Sequence, residues 1–260
     1  MNRIGLAGAR GRMGRMLVDL IVSDVDLELA SGLEHPEHPE LGLELAPGVE
    51  LTADARVAIE ACDVWLDFSL PEAATKHAAL AADCGRPLVC GTTGFTDAQK
   101  AVFADAAEKV AVVLGSNMSH GVYLLTELVR KAAAALPDLG VDVEIVEAHH
   151  KHKQDAPSGT ALQLAQAVVE TRGGQVMSHR QGARKPGEVG IAAIRGGDVC
   201  GAHEVMFLGP GEQLLLTHRA TTREHFASGA LQAVRFVQQK PAGLYTMAQV
   251  FSAGATGGRT

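Results

Sequence analysis

The first 120 residues alternate short apolar runs with alanine-rich segments of helical periodicity, and this alternation limits the fold more than any other feature. The strand-like runs are RIGLAG (3–8), LELASGLE (27–34), CDVWLDFS (62–69), RPLVCGTTG (86–94) and VAVVLGSN (110–117). The helical segments between them cover residues 12–23, 71–84 and 97–109. Strands that alternate with helices are typical of βαβ units. The pattern therefore predicts an α/β domain with a parallel sheet.

The pattern changes beyond about residue 140, where apolar and polar residues alternate. It does so in DVEIVEAHH (142–150), GIAAIRGG (190–197), HEVMFLGP (203–210) and EQLLLTHRA (212–220). Alternation is typical of a sheet with one covered and one open face. It predicts a second domain, an open mixed or antiparallel sheet with helices on one face. A last amphipathic helix is predicted from Glu224 to Gln239, and the tail AGATGGRT (253–260) is expected to be mobile.

Composition narrows the classes of function. A formal net charge of −7 disfavours nucleic acid as a partner, because phosphate binding needs a basic surface. With no leader-like segment and no apolar run of membrane-spanning length, we expect a cytoplasmic protein without a membrane partner. The cysteines show neither a CxxC pair nor zinc-ligand spacing, so no metal is predicted and buried reduced thiols are expected at Cys62, Cys84, Cys90 and Cys200.

A glycine-rich loop follows the first strand, with Gly8, Gly11 and Gly14 spaced as GxxGxxG. Glycines here let backbone N–H groups and a helix N-terminus approach a pyrophosphate, although a simple packing turn is the alternative. Glu34 ends the second strand 20 residues beyond Gly14, where a carboxylate accepts hydrogen bonds from a ribose diol. The spacing favours a Rossmann-like dinucleotide-binding domain. The predicted contacts are Gly8, Ala9, Arg10, Gly11, Arg12, Met13, Glu34 and His35.

Two of these residues bear on the choice of cofactor. The carboxylate of Glu34 should repel a 2′-phosphate, and the neighbouring His35 is mostly neutral at pH 7. The sequence therefore favours NADH. NADPH stays open, because Arg10 and Arg12 can receive a phosphate.

Two further loops follow the next predicted strands, GTTG (91–94) and SNMS (116–119). As bare sequence they are simply turns. Open parallel sheets, however, bind ligands at the carboxyl ends of their strands, and two such loops in succession favour a nicotinamide site. The residues predicted there are Gly91, Thr92, Thr93, Ser116, Asn117, Met118 and Ser119.

Titratable side chains cluster after the strand at 142–148, in HHKHK (149–153). A helix follows at once, with Ser158 or Thr160 as its cap. A helix N-terminus attracts a carboxylate or a phosphate, and histidine can deliver a proton near neutral pH. The pattern indicates an anion site with proton donors. The alternatives are a solvated basic turn and a zinc site, for which the HHxH spacing is too tight.

Seven blocks together resemble the dihydrodipicolinate reductase family, and they span nearly the whole chain. They are GARGRMG (8–14), DFSLPEA (67–73), CGTTGF (90–95), SNMSHGV (116–122), EAHHKHKQDAPSGTA (147–161), RGGDVCGAHEVMF (195–207) and THRATTREHFASGA (217–230). The resemblance implies an NAD(P)H-dependent oxidoreductase of the diaminopimelate route to lysine. It would reduce 4-hydroxy-tetrahydrodipicolinate, or dihydrodipicolinate, to tetrahydrodipicolinate.

The resemblance also implies residue roles and an architecture. His149 would be the general acid and Lys153 a second proton donor or electrostatic anchor. The dicarboxylate substrate would be bound by His150, Ser158, Gly159 and Thr160. Residues 1–119 and 224–260 would form the dinucleotide-binding domain. Residues 120–223 would bind substrate and build a homotetramer through the open sheet.

Three details accompany this interpretation. Closure of the two domains is expected, with hinges near residues 118–122 and 220–225. His35 stands where the family usually has a basic residue, and the stretch after Gly173 is short. Two other functions remain open: a different nicotinamide-dependent dehydrogenase, such as one acting on diaminopimelate, homoserine or aspartate semialdehyde, and a catalytically silent NAD(H)-binding regulator.

Overall fold

The structure is a computed structural model that describes residues 1–136 and 140–256. The chain divides into two compact units. The first unit comprises Met1–Ser119 together with the chain from Glu224 onward, and the second comprises His120–Arg223. Each unit has its own sheet and its own hydrophobic core.

The described residues form the following strands and helices. The strands are β1 (Asn2–Ala7), β2 (Leu27–Leu33), β3 (Glu44–Ala46), β4 (Val49–Thr52), β5 (Val64–Asp67), β6 (Leu88–Cys90), β7 (Ala111–Leu114), β8 (Asp142–His149), β9 (Gln175–Met177), β10 (Glu188–Arg195), β11 (Gly201–Gly209), β12 (Glu212–Ala220) and β13 (Gly243–Tyr245). The helices are α1 (Arg12–Ser23), α2 (Ala55–Glu60), α3 (Pro71–Asp83), α4 (Asp97–Ala107), α5 (His120–Ala135), α6 (Gly159–Arg172), α7 (Glu224–Val237) and α8 (Met247–Thr256).

The first unit is built on a sheet with the strand order β13-β7-β6-β5-β1-β2-β4-β3. All neighbouring strands are parallel except β3 and β4. Helices on both faces bury the central strands, which explains why β5 reads as a continuous apolar run. Because parallel strands point the same way, the loops after β1, β2, β5, β6 and β7 lie along one edge of the sheet. The predicted Rossmann-like parallel fold is confirmed.

Helix α1 follows directly from the glycine-rich loop. Its apolar residues Leu17, Val18 and Ile21 recur at helical spacing and are buried. Helix α7 returns to the same unit late in the chain and packs against α1 and the strands β5, β6 and β7. An ion pair between Arg235 and Asp24 ties α7 to the end of α1.

The second unit is a mixed sheet with the order β12-β11-β8-β10-β9. Strand β8 is parallel to β10 and antiparallel to β11. Helices α5 and α6 supply the apolar residues that cover one face, where Val143, Ile145 and Phe207 are buried. The intervening residues of β8 point to the uncovered face, as the alternation predicts. The predicted mixed sheet with helices is confirmed.

The sequence prediction for the end of the chain is wrong. The helix from Glu224 is not the last element, because β13 joins the sheet beside β7 and α8 follows it. Residues 253–256 of the tail expected to be mobile belong to α8, and residues 257–260 lie outside the described part. Helix α8 is ordered by burial of apolar side chains, among them Val250 and Phe251. None of the helices within residues 1–136 and 140–256 is long and apolar enough to span a membrane.

Candidate active site

The glycine-rich loop of the first unit requires glycine for steric reasons. Gly8 has φ 72°, and a Cβ there would lie 2.7 Å from the Phe68 carbonyl oxygen. A Cβ at Gly14 would lie 2.0 Å from the Gly8 carbonyl oxygen, so the helix can follow the strand this closely only without a side chain. The N-cap of α1 is Gly11, which makes no side-chain capping bond. The helix N-terminus therefore presents its backbone N–H groups, as an anion site needs.

Glu34 directly follows β2 and accepts a 2.7 Å hydrogen bond from the backbone N–H of Arg10. The Arg10 side chain turns to acidic partners. Its Nε lies 2.7 Å from the Glu40 carboxylate, and its Nη2 donates to the carbonyl of Glu44 at 3.2 Å. His35 lies in the exposed loop beyond Glu34. The Arg10 guanidinium is thus already paired with a carboxylate.

A buried carboxylate organises the loop after β5. Asp67 is fully buried and accepts hydrogen bonds from Trp65 Nε1 at 3.2 Å and from the Ser69 N–H at 2.9 Å. His77 Nδ1 lies 2.7 Å from Asp67 Oδ2, the oxygen that also accepts from Trp65. Burial would raise the pKa of this carboxyl, but the hydrogen bonds from His77 and Ser69 hold the pKa below its usual value. Asp67 is therefore a fixed anion that shapes the 68–70 loop.

That loop in turn supports the predicted GTTG loop. The Gly91 N–H donates to the Asp67 carbonyl at 2.9 Å, and a Cβ at Gly91 would lie 2.3 Å from the Phe68 ring. The Thr92 hydroxyl donates to the Ser69 carbonyl at 3.1 Å. The structure thus joins the ends of β5 and β6 into one connected surface.

The SNMS loop follows β7 at the same edge of the sheet. The Gly115 N–H donates to the Cys90 carbonyl, and the Ser119 N–H donates to the Asn117 side chain at 2.9 Å. Met118 is buried, and a Cβ at Gly229 of α7 would lie 1.8 Å from the Met118 carbonyl oxygen. Helix α7 thus packs directly beneath this loop. All of the predicted cofactor residues, His35 included, follow strand ends along this edge or begin the helix after it.

In the second unit, the histidine cluster is anchored by a residue that the sequence analysis did not single out. Glu147 is fully buried in β8, and its carboxylate lies 2.6 Å from His149 Nδ1. Arg195 of β10 donates to both oxygens of Glu147, at 2.9 and 2.7 Å. The Ser158 N–H donates to the same carboxylate at 3.0 Å. Burial would raise the pKa of Glu147, but the bonds from Arg195 and His149 lower it.

His149 is held inside the protein by these contacts. Its side chain is 12% exposed, which rules out the solvated-turn alternative for this residue. Burial lowers the pKa of His149, and the Glu147 carboxylate opposes this without cancelling it. The ring packs edge-on against His203, whose pKa burial lowers to about 4.

The rest of the cluster lies around the start of α6. Ser158, one of the two predicted caps, is the N-cap of α6. Its hydroxyl accepts a hydrogen bond from the Ala161 N–H and lies 3.1 Å from His203 Nε2. Gly159 and Thr160 form the first turn of the helix. Lys153 forms an ion pair with Asp155 at 2.9 Å.

The residues on the loop between β8 and α6 are less enclosed. His152 is exposed, whereas His150 is half-buried and packs its ring near that of His152. Within the described ranges, no group of three or more His, Cys, Asp or Glu could hold a metal ion.

Family models match both halves of the chain. Residues 2–118 match the model described as dihydrodipicolinate reductase, N-terminus, and residues 121–251 match dihydrodipicolinate reductase, C-terminus. The chain belongs to the dihydrodipicolinate reductase family.

Several members of this family have high identity to the chain. A 4-hydroxy-tetrahydrodipicolinate reductase of Anaeromyxobacter dehalogenans is 43% identical, with 100% of both chains covered. One of Thiobacillus denitrificans is 43% identical over 95% of this chain and 97% of its own. A dipicolinate-bound dihydrodipicolinate reductase from Paenisporosarcina sp. TG-14 superposes with a TM-score of 0.80 at 29% identity, covering 95% of this chain and 97% of that one.

Three residues of the second-unit cluster escaped the sequence analysis as site members: Glu147, Arg195 and His203. Arg195 and His203 lie in one of the blocks that resemble dihydrodipicolinate reductases, but nothing local assigned them a role. Strand register is the missing signal. Residue 195 pairs with His149 across β10 and β8, and residue 203 pairs with Glu147 across β11 and β8.

Proposed function

We propose that this chain catalyses the NAD(P)H-dependent reduction of 4-hydroxy-tetrahydrodipicolinate, or dihydrodipicolinate, to tetrahydrodipicolinate on the diaminopimelate route to lysine. Family membership and the relatives named 4-hydroxy-tetrahydrodipicolinate reductase support this activity. The observation that carries the residue assignment is the buried pairing of His149 with Glu147 beside a capped helix N-terminus. This arrangement provides a proton donor next to an anion site.

In this proposal the first unit is the dinucleotide-binding domain. A bound nicotinamide supplies the hydride. The start of α1 would bind the pyrophosphate, and the Glu34 carboxylate, which can accept further bonds beside the one from the Arg10 N–H, would accept hydrogen bonds from the ribose diol. The loops 91–93 and 116–119 line the nicotinamide end at the edges of β6 and β7.

The second unit is the substrate domain in this proposal. The first turn of α6, with Ser158, Gly159 and Thr160, binds one carboxylate of the substrate, as backbone N–H groups at a helix N-terminus favour anions. His150 and Lys153 contribute further donors. His149 delivers the proton from Nε2 to the carbon or nitrogen where negative charge develops. The dipicolinate held by the Paenisporosarcina relative supports a small dicarboxylate as ligand.

The test is a coupled assay in which a synthase forms the unstable substrate from pyruvate and aspartate semialdehyde while NADH loss is followed. We expect turnover by the wild type and losses of about 100-fold or more in kcat for His149→Gln and Lys153→Ala, as removal of a positioned proton donor gives. His152→Gln is the matched control, because this exposed histidine lies on the same loop. Binding of NADH without any turnover would instead support a silent regulator.

We propose a preference for NADH over NADPH. Glu34 repels a 2′-phosphate, and Glu40 engages the Arg10 guanidinium that would otherwise receive it. Comparing kcat/KM for the two cofactors tests this preference. Glu40→Gln should raise kcat/KM for NADPH several-fold and leave NADH nearly unchanged, whereas Glu37→Gln in the same loop is the control. A tenfold preference of the wild type for NADPH would contradict the proposal.

We also propose that the protein is cytoplasmic and assembles as a homotetramer through the uncovered face of the second-unit sheet. Ile194 and Leu215 lie on that face and are 54% and 47% exposed. Light scattering after gel filtration should give four times the mass of the single chain. Ile194→Lys should shift the protein to a smaller species. A wild type that runs as a monomer at micromolar concentration would end this part of the proposal.

A further inference from the structure

Glu147 is the most enclosed charged side chain of the second-unit cluster, and the activity proposed above does not by itself require it. Its exposed fraction is zero, and it accepts hydrogen bonds from Arg195, from the Ser158 N–H and from His149. We propose that Glu147 is a positioning residue, which fixes the tautomer of His149 and directs its Nε2 toward the substrate while Arg195 holds Glu147 in place. This proposal rests on the proposed reductase function.

The strand places the two side chains in register. Glu147 and His149 are two residues apart on β8 and therefore point to the same face. A carboxylate can only accept a hydrogen bond, so the 2.6 Å contact requires that His149 Nδ1 carry the hydrogen. The exchangeable proton of the ring then belongs to Nε2, which a proton donor must present to its substrate.

The space around Nε2 agrees with this orientation. Gly201 begins the neighbouring strand β11, and a Cβ built there would lie 3.2 Å from His149 Nε2. A side chain at position 201 would crowd the nitrogen that has to reach a ligand. Glycine instead leaves that nitrogen without a side chain against it from position 201.

Arg195 offsets the negative charge that Glu147 would otherwise place near an anionic substrate. An unpaired Glu147 would repel a dicarboxylate and would favour a permanently charged imidazolium. The two bonds from Arg195, at 2.9 and 2.7 Å, offset the charge of Glu147 and hold its plane fixed. Arg195 also donates to the Asp155 carbonyl at 2.6 Å, which ties the clamp to the loop that carries Lys153. Burial is the main cause that lowers the pKa of His149, and the charge of Arg195 makes a smaller contribution in the same direction.

A purely structural ion pair is the alternative, and β8 contains its matched control. Glu144 lies on the same strand, is also paired with arginine, and accepts from Arg180 at 2.6 Å. It points to the opposite face and contacts no residue of the histidine cluster in the described structure. Glu144→Gln therefore removes a comparable carboxylate–arginine pair without touching His149.

The decisive variant is Glu147→Gln. Glutamine has one acceptor oxygen, which the Arg195 donors will take, and its NH2 group then faces His149 Nδ1. The ring must accept at Nδ1 and move its hydrogen to Nε2. We expect long-range ¹H–¹⁵N spectra, assigned by the signals lost in His149→Gln, to show this tautomer change in the free protein, while the spectrum of Glu144→Gln stays that of wild type.

The kinetic expectation separates positioning from folding or binding. Glu147→Gln should lower kcat by about 10- to 100-fold with KM for the dicarboxylate changed less than threefold, and should displace the pH profile of kcat. Glu144→Gln should retain wild-type kcat. If Glu147→Gln does not fold, Glu147→Asp keeps the charge and withdraws the oxygens by one methylene, and its kcat should fall in the same way.

Unchanged kcat in a folded Glu147→Gln or Glu147→Asp protein would overturn the proposal, as would a kcat loss in Glu147→Gln with the wild-type tautomer retained. An equal loss in Glu144→Gln would reduce Glu147 to a structural role. If wild-type protein shows no reductase turnover, the proposed function fails, whereas the tautomer comparison still decides whether Glu147 positions His149.

Discussion

The buried carboxylate of Asp67 provides the sharpest test of what holds the first unit together. Asp67→Ala leaves two buried donors, Trp65 Nε1 and His77 Nδ1, without an acceptor. Each such loss costs about 1–3 kcal/mol, so we expect the free energy of unfolding to fall by about 2–6 kcal/mol. This loss is a large share of the free energy of unfolding of a typical domain, which is about 5–15 kcal/mol. Asp67→Asn should lose less, because its amide oxygen still accepts.

Urea denaturation followed by fluorescence measures this change in the right unit, because Trp65 is the sole tryptophan of the sequence and lies in β5. Asp63→Ala is the control. Asp63 also accepts a backbone N–H, that of Arg3, but it is exposed, so water can replace it and little change is expected. A loss for Asp67→Ala of less than about 1 kcal/mol would refute the reasoning about buried donors.

The lowered pKa of Asp67 also predicts how the stability of the wild type and of Asp67→Asn depends on pH. A carboxyl with a depressed pKa in the folded state stabilises above its unfolded pKa of about 4 and loses that contribution as pH falls below it. Wild-type protein should therefore lose stability at acid pH more steeply than Asp67→Asn does. Parallel curves for the two proteins between about pH 5 and pH 2 would contradict the assigned shift.

Three further predictions concern other elements. Gly14→Ala should abolish NADH binding in a fluorescence titration, because its Cβ would lie 2.0 Å from the Gly8 carbonyl oxygen; retained affinity would show that the loop yields easily. Burial lowers the pKa of His203 to about 4, so below about pH 6.5 the unfolded state binds more protons than the folded state. The free energy of unfolding, measured by hydrogen exchange in β11, should therefore fall by about 3 kcal/mol by pH 4, and His203→Gln should not show this fall. Gly229→Ala should displace Met118 and lower both the melting temperature and NADH affinity, and unchanged values for both would disprove the close packing.

The parallel half of the fold could be predicted because its signals are local. A central strand of a parallel sheet is apolar along its whole length, as in β5, and needs no partner to be recognised. The steric role of the loop glycines is equally local, since Gly8 and Gly14 meet within six positions of the chain. Strand β13 gave no such signal, because three residues acquire strand geometry only by pairing with β7.

The site in the second unit could be predicted only in part. The helix cap at Ser158 and the histidines are consecutive in sequence and carry familiar chemistry. The pairing of Glu147 with Arg195 joins residues 48 positions apart, and it depends on the register between β8 and β10. A one-residue slip would turn Arg195 to the other face, so no local pattern can contain this contact.

The return of α7 and β13 to the first unit has a consequence for protein synthesis. When the ribosome has made residues 1–119, the sheet still lacks its edge strand β13, and the surface that α7 covers is bare. The residues of the second unit follow first, and at 5–20 residues per second they take about 5–20 s to emerge. We expect the interrupted unit to be completed last, with the inserted one already folded, so the nascent chain needs protection of its first sheet during that interval.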